Sequence, residues 1–533
     1  MISDQTGTNV AVIGTGLSAM ACTAALVERG LKPTILDSGI EPPNDVNRLI
    51  ARMKWVPPNE WAPTDLLEAK QNKTVRTQAI PKKLFFGSDY VFSAGMRMQP
   101  TSAENCDVAY TRARSGFSSV WGAAMLPVSN LDMDDWPLCP HHLSKYYKKI
   151  LSIIPLSAER DHLEREFPLY KSNIRPVDLG PQLRKLLDGF GCRSEKLGTR
   201  GIIAGRPRLA VYADPNHHTP GCDSCGLCLT GCPREAIFST KEFFTDLIKR
   251  EKIRYLNNRF VLNVEEIENK VLIKWRPSNE ASINTVMFDR VFVACGALNS
   301  TRLIMHSLKY FQKTTKIRES QKFIVPFLTP MGNSAILDSP SFALASALMM
   351  TKYGAEKKHW SQMQLSVASD LVFQSLGIDL ERMPKWRKFV ISQFLGRVLI
   401  GWGSLNSSHS SHMELSMPSP GSSLHVKGVE NPLFREAANG ILRNLLAAVR
   451  ETRLMPFSSF VRFAPAGHGN HLGASIPMAN NRSEIMQSDM LGCPTGFQRT
   501  HVVDAAVLPS IPGTTVSLPA MANAWRIADL ATL

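Results

Sequence analysis

The first forty residues alternate between apolar runs and a glycine-rich turn. Apolar and polar positions predict, in order, a buried strand over residues 9–13, a tight turn over 14–19, a helix over 20–29 that ends at Gly30, and a second strand over 33–36. Strand, glycine turn, helix and strand in this order predict a βαβ unit of the kind that binds an adenine dinucleotide.

Four residues of this unit have the types that a dinucleotide site requires. Gly14 permits the turn, Gly16 lets the backbone approach a pyrophosphate, and the small Ala19 lets helix pack on strand. Asp37 follows the second strand and can accept hydrogen bonds from a ribose. An acidic residue here favours NAD or FAD over NADP, and the unit alone does not separate NAD from FAD.

Later patterns predict a mixture of strands and helices. Strands are predicted over residues 259–264, 271–275 and 290–296, the last a buried run that ends in a turn at Gly296. Helices are predicted over residues 142–154 and 431–454, the second from the spacing of its apolar side chains. The fold class expected is therefore α/β, or α+β overall.

Composition places the chain among ordinary globular proteins. Its 533 residues suffice for two to four domains, and its 44% apolar and 20% charged residues exclude a disordered or fibrous chain as the default. We find no apolar run long enough to span a membrane and no secretory signal, so a cytoplasmic location is expected. The net charge of +15 comes without a recognisable nucleic-acid module, and no nucleic-acid partner is expected.

One segment combines basic and aromatic side chains. Residues 376–402 contain five Lys or Arg residues together with Trp386, Phe389 and Phe394. This composition suits peripheral contact with an anionic membrane surface, at the inner face of the membrane, where a quinone acceptor would be accessible. An ordinary solvated helix or strand is the favoured interpretation.

Four of the ten cysteines fall within eleven residues. Cys222, Cys225, Cys228 and Cys232, followed by Pro233, have the C-x2-C-x2-C-x3-C-P spacing of ferredoxins, which predicts an iron-sulfur cluster. Zinc is a weaker alternative, because structural zinc sites usually separate two close cysteine pairs by a dozen or more residues. A purely structural role for the cysteines is the third.

Seven segments, in the expected order, resemble the glucose-methanol-choline (GMC) family of flavoprotein oxidoreductases. Besides the amino-terminal βαβ unit they are Gly116–Gly122, Asp134–Pro137, Cys295–Arg302, His471–Met478 and the carboxyl-terminal pair His501–Gly513 and Met521–Asp529. They span nearly the whole chain, and residues 311–460 match the family poorly. Family members also carry similar cysteine strings, and only some of them are known to use such cysteines for a cluster.

The resemblance implies FAD as the cofactor and two domains. A discontinuous, Rossmann-like FAD-binding domain with a parallel sheet would comprise residues 1–135, 221–310 and 461–533. A substrate-binding domain with a mostly antiparallel sheet would comprise residues 136–220 and 311–460. The residues implied to bind FAD share positions in the matching segments: Gly14, Gly16, Ala19 and Asp37 at the ADP half, Val261 at the adenine, Trp121 and Gly122 at the isoalloxazine, Gly296 in its glycine turn, and Asp504 and Ala505 at the pyrophosphate and ribityl chain.

The resemblance also implies the chemistry, oxidation of a C-OH group in an alcohol or sugar. His471 occupies the base position of the family's His-x-x-Gly-Thr-x-x-Met string, with Ala474 and Ser475 replacing Gly and Thr. Thr515 stands where the family has Asn or His, so that a hydroxyl would position the substrate oxygen. A dehydrogenase that passes electrons to a protein or quinone is favoured over an oxidase, and a redox-inactive or electron-relay flavoprotein is the alternative of another class.

Overall fold

The computed structural model describes residues 8–71, 85–93, 101–278, 280–330, 332, 342, 344–367, 369, 371, 374 and 383–533. Its strands are β1 Val10–Ile13, β2 Thr34–Leu36, β3 Thr101–Glu104, β4 Ile202–Gly205, β5 Arg254–Leu256, β6 Phe260–Ile267, β7 Lys270–Arg276, β8 Asn284–Phe288, β9 Arg290–Val293, β10 Thr314–Glu319, β11 Lys322–Leu328, β12 Ala347–Tyr353, β13 His359–Val367, β14 Val398–Ser404, β15 His412–Ser416, β16 Leu424–Val429, β17 Met455–Pro456, β18 Arg462–Phe463, β19 Leu472–Gly473 and β20 Thr500–Val502. Its α-helices are α1 Leu17–Glu28, α2 Asn44–Met53, α3 Pro63–Ala69, α4 Tyr90–Ser93, α5 His141–Ile153, α6 Pro181–Cys192, α7 Ser194–Thr199, α8 Thr240–Lys249, α9 Ala297–Ser307, α10 Lys385–Leu395, α11 Leu433–Ala447, α12 Val449–Thr452 and α13 Ser517–Leu530.

A five-stranded parallel sheet joins the two ends of the chain. Its order is β20-β9-β1-β2-β5, and every neighbouring pair runs parallel. All four residues of β1 are buried, as expected of a central strand covered on both faces. The first helix, α1, packs against the last, α13, and Arg29 donates hydrogen bonds from Nη1 to the carbonyls of Ala528 and Ala531 at the carboxyl end of α13.

The other sheets are mostly antiparallel. One has the order β17-β11-β14-β13-β12-β4 with β18 added beside β11, a second has the order β19-β10-β15-β16-β3, and a third is the meander β6-β7-β8. Among the described strands of these sheets, β16 and β3 are the only pair that runs parallel. The expected fold class, a parallel sheet with a mostly antiparallel second region, is confirmed.

Most element positions follow the sequence pattern, and one helix differs. The predicted helix 431–454 is broken at Ala448 into α11 and α12, and it ends at Arg453 with a φ of 56°. Phe434, Ile441 and Leu445 are buried as expected. Leu446 is 52% exposed, because the residue directly after Leu445 lies on the outer face of the helix.

The segment 376–402 is described only in part, since residues 375–382 lie outside the described residues. Its described part contains the helix α10 and most of β14, an inner strand of the largest antiparallel sheet. None of the described helices combines the length and the apolar character needed to cross a membrane.

Candidate functional site

A cavity of about 1120 Å³ opens beyond the carboxyl ends of β1 and β9 in the parallel sheet. Ligands of open parallel sheets bind at this edge. The amino-terminal residues of three helices, α1, α9 and α13, line the same cavity. No acidic residue occupies the first turn of any of the three, so the positive ends of their dipoles favour an anion, and at α9 the carboxylate of Asp504 already accepts from the N–H of Gly296.

Two glycines shape the floor of the cavity. Gly14 has a φ of +107°, and a Cβ there would lie 2.5 Å from the carbonyl oxygen of Ala294, so no other residue fits. Gly16 opens α1, and a Cβ there would meet no atom within 4 Å, because this backbone faces the open cavity. A phosphate can therefore approach the main chain at Gly16 closely.

Asp37 is a buried carboxylate on the cavity wall. Its Oδ2 accepts hydrogen bonds from the hydroxyls of Thr15, at 2.7 Å, and Tyr255, at 3.3 Å. Thr15 Oγ1 in turn accepts from the backbone N–H of Ser115 at 2.9 Å. Burial raises the pKa of Asp37 from 3.8 to about 6, against these hydrogen bonds and the charge of Arg114, which lower it.

Asp504 is a second buried carboxylate on the wall. Its Oδ2 accepts from the N–H of Gly296 at 2.9 Å and from the hydroxyl of Ser300 at 2.5 Å, and its Oδ1 accepts from the N–H of Ala506 at 3.0 Å. Burial raises the pKa of Asp504, and these three hydrogen bonds oppose that rise. Asp504 thereby fixes the turn before α9 to the segment that carries Ala505.

Arginines and an aromatic ring form another part of the wall. The Arg112 guanidinium lies 3.9 Å from the centre of the Phe260 ring, and Arg302 lines the cavity nearby. Burial lowers the pKa of both arginines to about 10, and they remain cationic at neutral pH. The sequence analysis did not identify four residues that line the cavity: Thr15, Arg112, Phe260 and Arg302. It also did not identify Ser300, which donates a hydrogen bond to Asp504. Of these residues, Thr15 lies within the glycine motif that the sequence analysis described.

Seven of the ten residues expected to bind cofactor line the cavity: Gly14, Gly16, Asp37, Val261, Gly296, Asp504 and Ala505. Ala19 is fully buried in α1, where a small side chain suits helix packing. Trp121 and Gly122 lie outside the cavity wall; Trp121 donates from Nε1 to the carbonyl of Phe238 at 2.8 Å, and Gly122 is exposed. The role of each residue in binding stays a prediction.

His471 lies in a loop beside the cavity. Its chain neighbours Asn470 and Leu472 line the wall, and its own half-buried side chain lies outside it. Nδ1 of His471 is buried and has no hydrogen-bond partner within the described chain. Burial, with a smaller contribution from the charge of Lys322, lowers the pKa of His471 to about 3, which keeps the ring neutral.

Buried contacts hold this loop in place. Glu319 accepts hydrogen bonds from the N–H groups of Gly467, at 2.7 Å, and Gly469, at 3.2 Å. The N–H of Ala474 donates to the carbonyl of Ala505 at 2.9 Å, which brings the His471 loop against the cavity-lining segment. The nearby His468 contacts Asp107, with 2.6 Å between Nδ1 of His468 and Oδ2 of Asp107.

Thr515 is buried away from the cavity wall. Its Oγ1 accepts a hydrogen bond from the backbone N–H of Leu126 at 2.9 Å. The hydroxyl of Thr515 can still donate its proton, but its contact with Leu126 joins two loops of the chain. A role in positioning substrate stays a prediction.

The four cysteines share one loop, and their thiols influence one another. Burial and then the neighbouring thiols raise the pKa of Cys222 and Cys225 to about 12. Four thiolates on one zinc at about 2.3 Å would lie about 3.8 Å apart. Among the described residues, no three cysteine sulfurs lie within 4.8 Å of one another, so no zinc site is preformed and the iron-sulfur prediction gains no support.

The parallel sheet beside mostly antiparallel sheets is the architecture that the sequence analysis expected. The structure is similar to the crystal structure of pyridoxine 4-oxidase from Mesorbium loti, with a TM-score of 0.59, 13% sequence identity and 98% of each chain covered. At this identity the likeness shows the fold alone. No protein-family model matches the chain, and no curated protein matches it.

Proposed function

We propose that the protein is an FAD-dependent oxidoreductase that oxidises a C-OH group in a small alcohol or sugar. The observation that carries the proposal is the cavity of about 1120 Å³ into which three helix amino termini and the buried Asp37 project. This combination fits a dinucleotide with a pyrophosphate and a ribose. The fold shared with an oxidase named for pyridoxine supports a flavin among the dinucleotides.

The residues present fit FAD. Gly14 and Gly16 would face the pyrophosphate, Asp37 would accept from the ribose, and Arg112 and Phe260 offer charge and a ring face near Val261. FAD would supply the hydride acceptor.

His471 is the proposed proton acceptor. Alcohol oxidation removes a proton from the hydroxyl oxygen and a hydride from the carbon that carries it, leaving a carbonyl, and the proton needs an unprotonated base. The ring of His471 is neutral at neutral pH, and its buried Nδ1 has no partner within the described chain. Its low pKa makes the free ring a weak base, so the proposed role requires that the hydride leaves as the proton is transferred.

The first test is flavin content, followed by flavin reduction. Folded protein purified without oxygen is expected to release FAD on denaturation, and its visible bands to bleach with one member of a panel of alcohols and sugars. His471→Ala should slow that bleaching by a factor of about 100 to 10,000 with FAD still bound. The exposed His162→Ala is the control. Folded protein without flavin would refute the proposal, and alcohol-driven bleaching unchanged in His471→Ala would refute His471 as the base. Reduction by a partner protein alone, unchanged in His471→Ala, would indicate an electron relay instead.

The electron acceptor is a separate question. From the cysteine run we propose a dehydrogenase that delivers electrons to a protein or quinone, with an iron-sulfur cluster at Cys222, Cys225, Cys228 and Cys232 as the route. Matching iron and acid-labile sulfide in protein purified without oxygen is the expected result. Rapid oxygen consumption by iron-free protein would show an oxidase and leave the cysteines structural.

We also propose that α10 touches an anionic membrane surface, as part of a cytoplasmic protein that binds the membrane peripherally. Trp386, Val390 and Phe394 recur every four residues and are 65%, 60% and 54% exposed. The helix contains no acidic residue, and Lys385 and Arg387 flank the exposed stripe. Apolar anchors beside basic residues are the chemistry of an interfacial helix.

Sedimentation with vesicles tests this contact. Vesicles containing anionic lipid should bind the protein and purely zwitterionic vesicles should not, and Trp386→Ala with Phe394→Ala should abolish binding. Phe460→Ala, which removes another exposed aromatic ring at 69% exposure, is the matched control. Equal binding by the double variant would refute the assignment to α10.

A further inference from the structure

Three metal-ligating side chains converge away from the cavity. One donor atom from each of His217, His218 and Asp246 lies within 4.8 Å of the other two. Nε2 of His218, in a loop, lies 3.6 Å from Oδ2 of Asp246, on helix α8.

Local structure sets this convergence. Asn216 accepts hydrogen bonds through Oδ1 from the N–H groups of His218, at 2.7 Å, and Thr219, at 3.1 Å, and its own N–H donates to the carbonyl of Thr219 at 2.8 Å. This tight turn holds the two imidazoles beside each other, with ring centres 3.7 Å apart. Opposite them, Asp246 lies on α8, one turn after Glu242 on the same face of the helix.

Glu242 faces the other nitrogen of His218. Its Oε2 lies 3.9 Å from Nδ1, while Asp246 faces Nε2. A metal-binding histidine usually has its second nitrogen directed at a carboxylate, which fixes the ring and its tautomer. The arrangement therefore supplies an inner set of three ligands and one outer carboxylate.

We propose that His217, His218 and Asp246 bind one divalent transition-metal ion of the zinc class, with Glu242 as the outer carboxylate. Two imidazoles with one carboxylate suit zinc and its neighbours, and they do not suit calcium or magnesium, which prefer oxygen ligands alone. Three protein ligands leave a coordination position for water.

A bound ion would connect two parts of the chain that meet here. It would fix the loop that leads to Cys222 onto α8. The first residue of that helix, Thr240, donates to the carbonyl of Thr15 in the cavity wall at 2.6 Å. Metal binding is thus expected to raise the thermal midpoint of unfolding, because only the folded chain holds the three ligands together.

The test is titration of untagged, chelator-treated, full-length protein with Co²⁺, followed by visible absorbance, and with Zn²⁺, followed by calorimetry. One equivalent should bind at the His/His/Asp set. His218→Ala and the nearly isosteric Asp246→Asn should each lose that equivalent. Glu242→Ala should weaken its affinity by about 10- to 100-fold. Circular dichroism checks that each variant folds.

The chain offers a matched control pair. His141 and His142 are also adjacent, exposed histidines, with ring centres 4.1 Å apart, and replacing both by alanine should leave the titration unchanged. The proposal is overturned if the wild type binds no equivalent, or if binding is the same in His218→Ala. It is also overturned if all bound Co²⁺ shows the intense near-ultraviolet band of thiolate ligation, which would assign the metal to the cysteines.

Discussion

Replacing Asp37 by Asn should stabilise the flavin-free protein at neutral pH and lower its affinity for FAD. Burial raises the pKa of Asp37 from 3.8 to about 6, so its ionisation opposes folding. At roughly 1.4 kcal/mol per pH unit, this difference corresponds to about 3 kcal/mol. Asn keeps an oxygen that accepts from Thr15 and carries no charge.

The pH dependence gives the sharper test. Below about pH 3 the carboxyl is protonated in both the folded and the unfolded chain, and its ionisation has no effect on stability. As the pH rises from about 4 to 6, the folded chain keeps the proton that the unfolded chain has lost. The wild type should therefore lose about 1.4 kcal/mol per pH unit relative to Asp37→Asn, and the difference should level off above pH 7.

Urea unfolding of flavin-free protein at several pH values measures this difference. The exposed Asp134→Asn is the control and should follow the wild type. Loss of a charge-assisted hydrogen bond of about 1.5–3 kcal/mol should weaken FAD binding by about 10- to 150-fold in Asp37→Asn. A stability difference that does not change with pH would refute the reasoning about burial, and unchanged FAD affinity would refute the ribose contact.

Three further substitutions test local geometry by urea unfolding. Ala474 has a φ of 54°, so Ala474→Gly should raise the free energy of unfolding by about 0.5–1 kcal/mol. Ala437→Gly within α11 is the control and should lower it by about 1 kcal/mol. A change of the same sign in both variants would contradict the strain at Ala474. Gly14→Ala should cost about 2 kcal/mol or more, because its Cβ would lie 2.5 Å from a carbonyl oxygen, and Gly30→Ala, in open space, should cost less. Phe323 is fully buried, and Phe323→Ala should cost about 3–5 kcal/mol; a cost below 1 kcal/mol would contradict its packing.

The parts of the site that sequence could predict are those encoded within one short segment. Gly14, Gly16 and Asp37 belong to a single βαβ unit, whose pattern predicts both its structure and its ligand. The strand predicted at 290–296 is β9 with its turn at Gly296, because four consecutive apolar residues there are buried on both faces of the sheet.

The remainder depends on contacts between distant segments. Ser300 and Asp504 form a hydrogen bond although they lie 204 positions apart in the chain, and Leu126 and Thr515 do so at a separation of 389. No short sequence motif predicts either contact. The position of Trp121 outside the cavity wall also follows from a long-range contact, with the carbonyl of Phe238. Sequence spacing carries no information about such meetings, so the resemblance placed Trp121 by analogy alone.

The place of β20 in the parallel sheet has a consequence for biosynthesis. This strand, residues 500–502, covers the open side of β9, and α13, which comes after it in the chain, covers α1 near the start of the chain. Translation must therefore reach residue 502 before the sheet is complete. Until then β9 is an unprotected edge of high apolar content, the type of intermediate that chaperones recognise. A nascent chain stalled before residue 500 should aggregate, even though it already contains the entire βαβ unit.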